Sequence, residues 1–253
     1  MRSLLTLALL TGLAPLAAAQ DAPDAAAVVR KAVAAHGGEA ALKAFGTSST
    51  SGKGTMRVNG VEMAFTSEVL FAGPDKFRMT MKTEANGKKL DLVQVMSGDK
   101  SSQTINGQPA VTGDAEKAEL KQAVVMMDLT TLTPLLTDKY TLKATPGDKA
   151  DAGLAVVVAT PSAKGADARP VTLAFDAKTG YLVRYAREAL APSEKGPPKK
   201  VQEVTTMSEF KKFDGAMIAT TAVATHDGKP FMTVTVTAAK ALPAIDAKEF
   251  AVP

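Results

Sequence analysis

Two hydrophobic periods divide this chain. From Ser48 onward apolar and polar residues alternate with a period of two, as in strands that bury one face. Met56 and Val58 alternate with Thr55 and Arg57. After Asn59-Gly60, Val61, Met63 and Phe65 alternate with Glu62, Ala64 and Thr66. Asn-Gly favours a two-residue type I′ turn, because both central positions take positive φ. That turn predicts Val58 opposite Val61 and Met56 opposite Met63, all on one face. The same test at Asn86-Gly87 sets Glu84 against Lys89, Lys82 against Asp91, Thr83 against Leu90 and Met81 against Leu92. One face then carries opposite charges and the other apolar pairs, each contributing about 0.2–1 kcal/mol. Asn106-Gly107, Asp214-Gly215 and Asp227-Gly228 mark further turns.

The 3.6-residue period appears twice. Asp24 can cap a helix in which Val28, Val29, Ala32 and Val33 share a face, with Gly37 suited to the left-handed position at its end. A second short helix follows over 39–45. Asp114 to Asp128 predicts a middle helix with Leu120, Ala123, Val124 and Met127 at helical spacing and Val125 and Met126 widening that face, continued by a leucine-rich loop or short helix to Leu136. Strands resume at 140–144, 154–160, 171–176, 182–188, 201–213, 217–226 and 231–242. Residues 191–200, rich in proline and glycine, form a loop. The pattern is mainly β with helices, an α+β chain built on a large meandering antiparallel sheet.

The start of the chain follows neither period. Met1-Arg2, the apolar run Leu4 to Leu16 and Ala17-Ala18-Ala19 have the three parts of a cleavable secretory signal over 1–20. The run is shorter than the roughly 20 residues a membrane span needs. Residues 21–253 then form a single exported domain in the periplasm or outside the cell. The absence of cysteine excludes disulfide staples and a lipid-modified cysteine. The formal charge is only +4, the lysines are scattered and there is no tryptophan. Nucleic-acid binding, which needs a basic stripe with stacking aromatics, is set aside. A transient contact with an anionic membrane surface stays open.

Catalytic chemistry finds little support. The two histidines, His36 and His226, lie far apart in the sequence. His226 reads as a hairpin corner, and His36 as a helix-terminal residue favoured by the helix dipole. No nucleophile elbow, zinc helix, phosphate loop or dinucleotide fingerprint is present. Asp148 and Asp151 share a loop but lack calcium-loop spacing. The expectation is a non-enzymatic protein with no catalytic residue, metal or cofactor. Eleven methionines are more informative. Methionine is soft and adaptable and suits surfaces that accept varied apolar shapes.

Several segments in order resemble the outer-membrane lipoprotein carrier (LolA/LolB-like) superfamily of exported bacterial proteins. These are Ala35-His-Gly-Gly-Glu-Ala-Ala-Leu42, Gly73-Pro-Asp-Lys-Phe-Arg78, Leu132-Thr-Pro-Leu-Leu136, residues 171–182, Phe213-Asp-Gly215 and Phe250-Ala-Val-Pro253. The likeness is to the branch found in planctomycete-like and acidobacterial genomes, and it runs from about Asp24 to the C-terminus. One departure is Lys100-Ser-Ser-Gln103, where relatives often carry a tryptophan. The resemblance implies an incomplete β-barrel of about eleven antiparallel strands wrapped around lid helices over an apolar cavity. It also implies that acyl chains are handled by burial, without a catalytic group.

On that frame the ligand site comprises Met56, Val58, Met63, Phe65, Met81 and Leu92 from the hairpins. Val124 and Met127 join from the middle helix, and Leu132, Leu135 and Leu136 from the segment after it. The expected role is a periplasmic binding or carrier protein for an apolar small molecule or lipid, such as an acyl chain or the lipid of a lipoprotein. The alternative is a self-packed module that binds a cell-envelope protein through a sheet edge.

Overall fold

A capped helix opens the folded part of the chain. In α1 (Ala25–Ala35), the Asp24 carboxylate accepts from the Ala26 amide at 3.1 Å, and Val29, Ala32 and Val33 are buried. The helix stops at Gly37, whose φ is +106° and whose missing Cβ would lie 2.3 Å from the Gly215 carbonyl oxygen. Glycine is therefore needed there for both conformation and approach. α2 (Glu39–Phe45) buries Leu42 and Phe45 against α1.

The computed structural model describes residues 24–58, 60–85, 87–146, 151–162, 169–191 and 198–252. The signal segment, Asn59, Asn86, Asp148 and most of the 191–200 loop lie outside the described residues.

Six strands follow α2. They are β1 (Thr47–Val58), β2 (Val61–Ala72), β3 (Lys76–Ala85), β4 (Lys88–Ser97), β5 (Lys100–Ile105) and the two-residue β6 (Gln108–Pro109). After α3 (Asp114–Thr130) and a 3-10 turn (Thr133–Leu136) come β7 (Tyr140–Thr145), β8 (Leu154–Pro161), β9 (Val171–Asp176), β10 (Leu182–Ala191), β11 (Lys199–Phe213), β12 (Ala216–His226) and β13 (Lys229–Ala241). A second 3-10 turn, Ala247–Phe250, follows.

The strands form one antiparallel sheet in the order β6-β5-β4-β3-β2-β1-β13-β12-β11-β10-β9-β8-β7. The first and last strands pair in the middle, so the sheet edges are β6 and β7 and the barrel stays open. Thirteen strands stand where the resemblance implied about eleven, and β6 is a short return after the Asn106-Gly107 turn. The hairpin registers are those expected from the turns. Val58 faces Val61, Met56 faces Met63, Glu84 faces Lys89 and Met81 faces Leu92.

The middle helix joins the two sheet edges and lies across the inner face. Its expected stripe is only half of what it buries. Leu120, Val124 and Met127 meet Phe71, Phe77 and Met96 of β2, β3 and β4. Met126 and Leu129 turn to the other side and join α1, α2, Val157, Leu173 and Phe175. A helix wedged between two parts of a curved sheet needs two apolar stripes, and the run Val124–Met127 supplies both. At the other end of the chain, the closing turn lies on the outer face of β3 and β4. Phe250 is buried there and Arg78 Nη1 donates to the Glu249 carbonyl at 3.3 Å.

Candidate functional site

Strand alternation divides the eleven expected ligand residues into three groups. Met56, Val58, Met63, Phe65, Met81 and Leu92 point to the inner face of β1–β4 by register. Met56, Met63, Met81 and Leu92 are half-buried, and Val58 is 40% exposed. The Phe65 ring is buried across Gly54, on the strand opposite. The second group is sealed: Val124 is fully buried and Met127 packs beside it over Phe71, Phe77 and Met96. In the third, Leu132 and Leu135 lie in the main core with α1 and α2, whereas Leu136 is exposed. The structure thus brings the strand residues together as one apolar strip but packs the helix and turn leucines into core. A lid that is itself core closes the lower part of the inner face, and the methionine strip above α3 stays accessible.

A groove of about 890 Å³ takes in Phe65, one of the expected ligand residues, with its row neighbours Gly54, Thr83 and Leu90. It is also lined by Lys53, Thr55, Thr66, Lys82, Glu84 and Asp91, among others. These alternate with the methionine strip and therefore belong to the outer face. The groove is broad, and charged side chains stand on its rim.

Sequence reasoning missed a buried polar network on the inner face. Glu119 of α3 pairs with Arg187 Nη1 of β10 at 2.5 Å and with Arg169 Nη1 at 3.3 Å, and it accepts from the Leu190 amide at 3.0 Å. Arg187 Nε donates to Glu203 Oε1 of β11 at 2.8 Å. The other oxygen of Glu203 lies 3.3 Å from His226 Nε2 of β12. Burial opposes the Arg187 charge, but the carboxylates of Glu203 and Glu119 outweigh it and raise its pKa. Burial likewise favours protonated Glu203, but the His226 hydrogen bond and the Arg187 charge hold its pKa below the ordinary value. Next to this row, burial raises the pKa of Tyr185. A signal did exist in the sequence. Val201, Glu203, Thr205 and Met207 share one parity, so an inward Met207 carries Glu203 inward. Glu119, among Glu116, Lys117 and Lys121, looks like part of a solvated helix face.

The histidines differ from each other. The hairpin corner expected at His226 is present, and the ring also stacks on Phe231 at 3.9 Å. His36 stands at the C-terminal end of α1, as expected. The ring is buried, its Nδ1–H donates to the Ala32 carbonyl at 2.9 Å, and its edge meets Tyr181 and Phe210. Burial lowers its pKa, and the hydrogen bond to Ala32 opposes that shift. Among the described residues, no three His, Cys, Asp or Glu side chains are grouped to hold a metal ion.

An open antiparallel barrel wrapped around an inner helix defines the class of protein. The same fold is found in solved structures of low sequence identity. A LolA superfamily protein from Nitrosomonas europaea superposes with a TM-score of 0.54 at 12% identity, covering 90% of this chain and 97% of its own. An outer membrane lipoprotein-sorting protein domain from Vibrio parahaemolyticus gives 0.51 at 11% identity, over 89% and 95%. A DUF1329 family protein from Desulfovibrio piger gives 0.54 at 13% identity, over 90% and 97%. At these identities the likeness is one of fold. No protein-family model and no curated protein sequence matches the chain.

Proposed function

We propose that this protein is a non-enzymatic carrier or binding protein of the bacterial cell envelope that takes an acyl-chain ligand on its inner face. The observation that carries this reading is the half-buried row Met232, Met56 and Met63, extended by Met81 and Leu92 on neighbouring strands. Flexible thioether side chains on a curved, partly covered sheet can follow a bent chain without a fixed pocket shape. The shared fold supports the reading, since one structural neighbour bears the name of a lipoprotein-sorting domain. The export signal read over 1–20 supports an envelope location. No described helix is long and apolar enough to cross a membrane.

Burial of apolar area drives such binding at about 25 cal/mol per Å² and is nearly independent of salt. A delipidated sample titrated with a neutral apolar fluorophore should show saturable binding of similar strength in dilute and molar salt. No uptake at any salt concentration would sink the proposal.

A second reading draws on Leu132, Leu135 and Val124, which are packed solid where a cavity would lie. The protein would then engage an envelope protein through the unpaired edge of β7. Capture of one partner from envelope extract, unaffected by detergent and accompanied by no extractable lipid, would favour it.

A further inference from the structure

The network around Glu119 is placed oddly for a structural device. It sits inside the barrel, on the face expected to be apolar, and its members come from a helix, three strands and the segment before β9. Burying ion pairs gives little net stability, because desolvation offsets most of the attraction. Its internal arrangement is informative. Arg187 has a fixed partner in Glu203 on the adjacent strand, and Glu203 is held in turn by His226. Glu119 belongs to α3, which is not part of the sheet. Without Glu119, Arg187 keeps its pair with Glu203, and Arg169 has no other carboxylate partner among the described residues. Arg169 would retain the Glu188 carbonyl at 3.2 Å, and the Leu190 amide would lose its acceptor. What remains is a cradle of two guanidinium groups and a backbone N–H, shaped around one carboxylate.

Beside the cradle a register row, in which Thr205 and Ala224 are buried, leads toward the methionines. The residues next to Arg187 and Glu203 on the inner face are Tyr185 and Thr205. They begin this row, which continues through Ala224, Met232, Met56 and Met63. That row crosses six strands, a span of roughly 24 Å at about 4.8 Å per strand. One end is cationic once Glu119 leaves, and the other is lined by methionine.

We propose that Glu119 is a built-in stand-in for the head group of a fatty-acid-like ligand: the ligand carboxylate displaces it from Arg169 and Arg187, and the chain lies along the Tyr185–Met63 row. This rests on the acyl-chain reading above and adds the anionic carboxylate head and the exchange with α3. A neutral lipid of the same length lacks the charge to replace Glu119, so it competes poorly with the internal carboxylate. Displacement of Glu119 also frees the N-terminal half of α3 from β10, so ligand binding loosens that helix.

The test compares oleate with oleyl alcohol on delipidated protein. Wild type should bind oleate at least fivefold more tightly than the alcohol. Glu119→Ala should tighten oleate at least fivefold and leave the alcohol within twofold, and Arg169→Gln should weaken oleate alone. Hydrogen exchange of the wild-type protein covers the case in which a variant fails to fold: oleate, but not the alcohol, should speed exchange over residues 114–124. Equal binding of both lipids, or faster exchange with neither, overturns the head-group proposal while the acyl-chain reading stands. If neither lipid binds the wild type or Arg169→Gln, the acyl-chain reading itself fails.

Discussion

Individual side chains separate accessible strip from core. Leu135 is 2% exposed among α1, α2 and β8–β9 residues, whereas Met63 is half-buried on the open strip. Leu135→Arg buries an unpaired charge and should cost about 3–5 kcal/mol. At Met63 an arginine can carry its head to water along its aliphatic stem, so the fold should persist while apolar-probe binding is lost. Thermal melts with probe titration check both, and a collapse of melting temperature in both variants would mean the strip is core. Two titrating groups give a further test at this scale. The folded pKa of His36 is lowered, so below about pH 6.5 the unfolded chain binds the extra proton. The stability due to its neutral burial is present above that value and is lost as pH falls through it. The Glu203 pKa is also lowered, so its contribution is present above about 4.5 and is lost only as pH falls further. Urea midpoints from about pH 8 to 2 should show two separate declines. His36→Asn should remove the upper one; an unchanged upper slope in that variant would refute the assignment.

Elements depend on where neighbours approach, which local pattern does not encode. β1 passes so close to β13 at Gly54 that a Cβ there would sit 1.9 Å from the Thr233 carbonyl oxygen and 3.1 Å from the Phe65 ring. Gly54→Ala must therefore push the two strands apart, at a cost above about 2 kcal/mol in denaturant unfolding. A loss under about 0.5 kcal/mol would show that the approach is not tight. The hairpin registers were legible beforehand, because Asn-Gly turns set them locally and charge pairs agree with them. The second apolar stripe of α3 was not. Helical spacing shows that Val124 to Met127 are apolar, but a partner on each side is what makes both stripes core. Glu119 was illegible for the same reason: on the helix alone it is one charge among several.

At the scale of the whole molecule, the pairing of β1 with β13 brings the first and last strands together. It makes one continuous inner face from strands far apart in sequence. The row from Tyr185 to Met63 exists only through that closure, so any ligand path along it is a tertiary property. The prediction at this scale is that the Arg187–Glu203–His226 row and the methionine strip respond as one surface. A nitroxide-labelled fatty acid should broaden NMR signals of both Met56 and Met232 methyl groups, and broadening confined to outer-face residues would contradict that. Alternation, turn residues and capping were enough to establish the strands, their hairpin partners, the helices and a large antiparallel sheet, because each depends on contacts between near neighbours in the chain; that the sheet forms an open barrel was implied by the resemblance alone. Which apolar residues became core, which stayed accessible, and that charges stand inside the barrel were decided by packing. Leu132 and Met63 look alike in the sequence; burial depends on what α3 and the long-range strand pairing place over each.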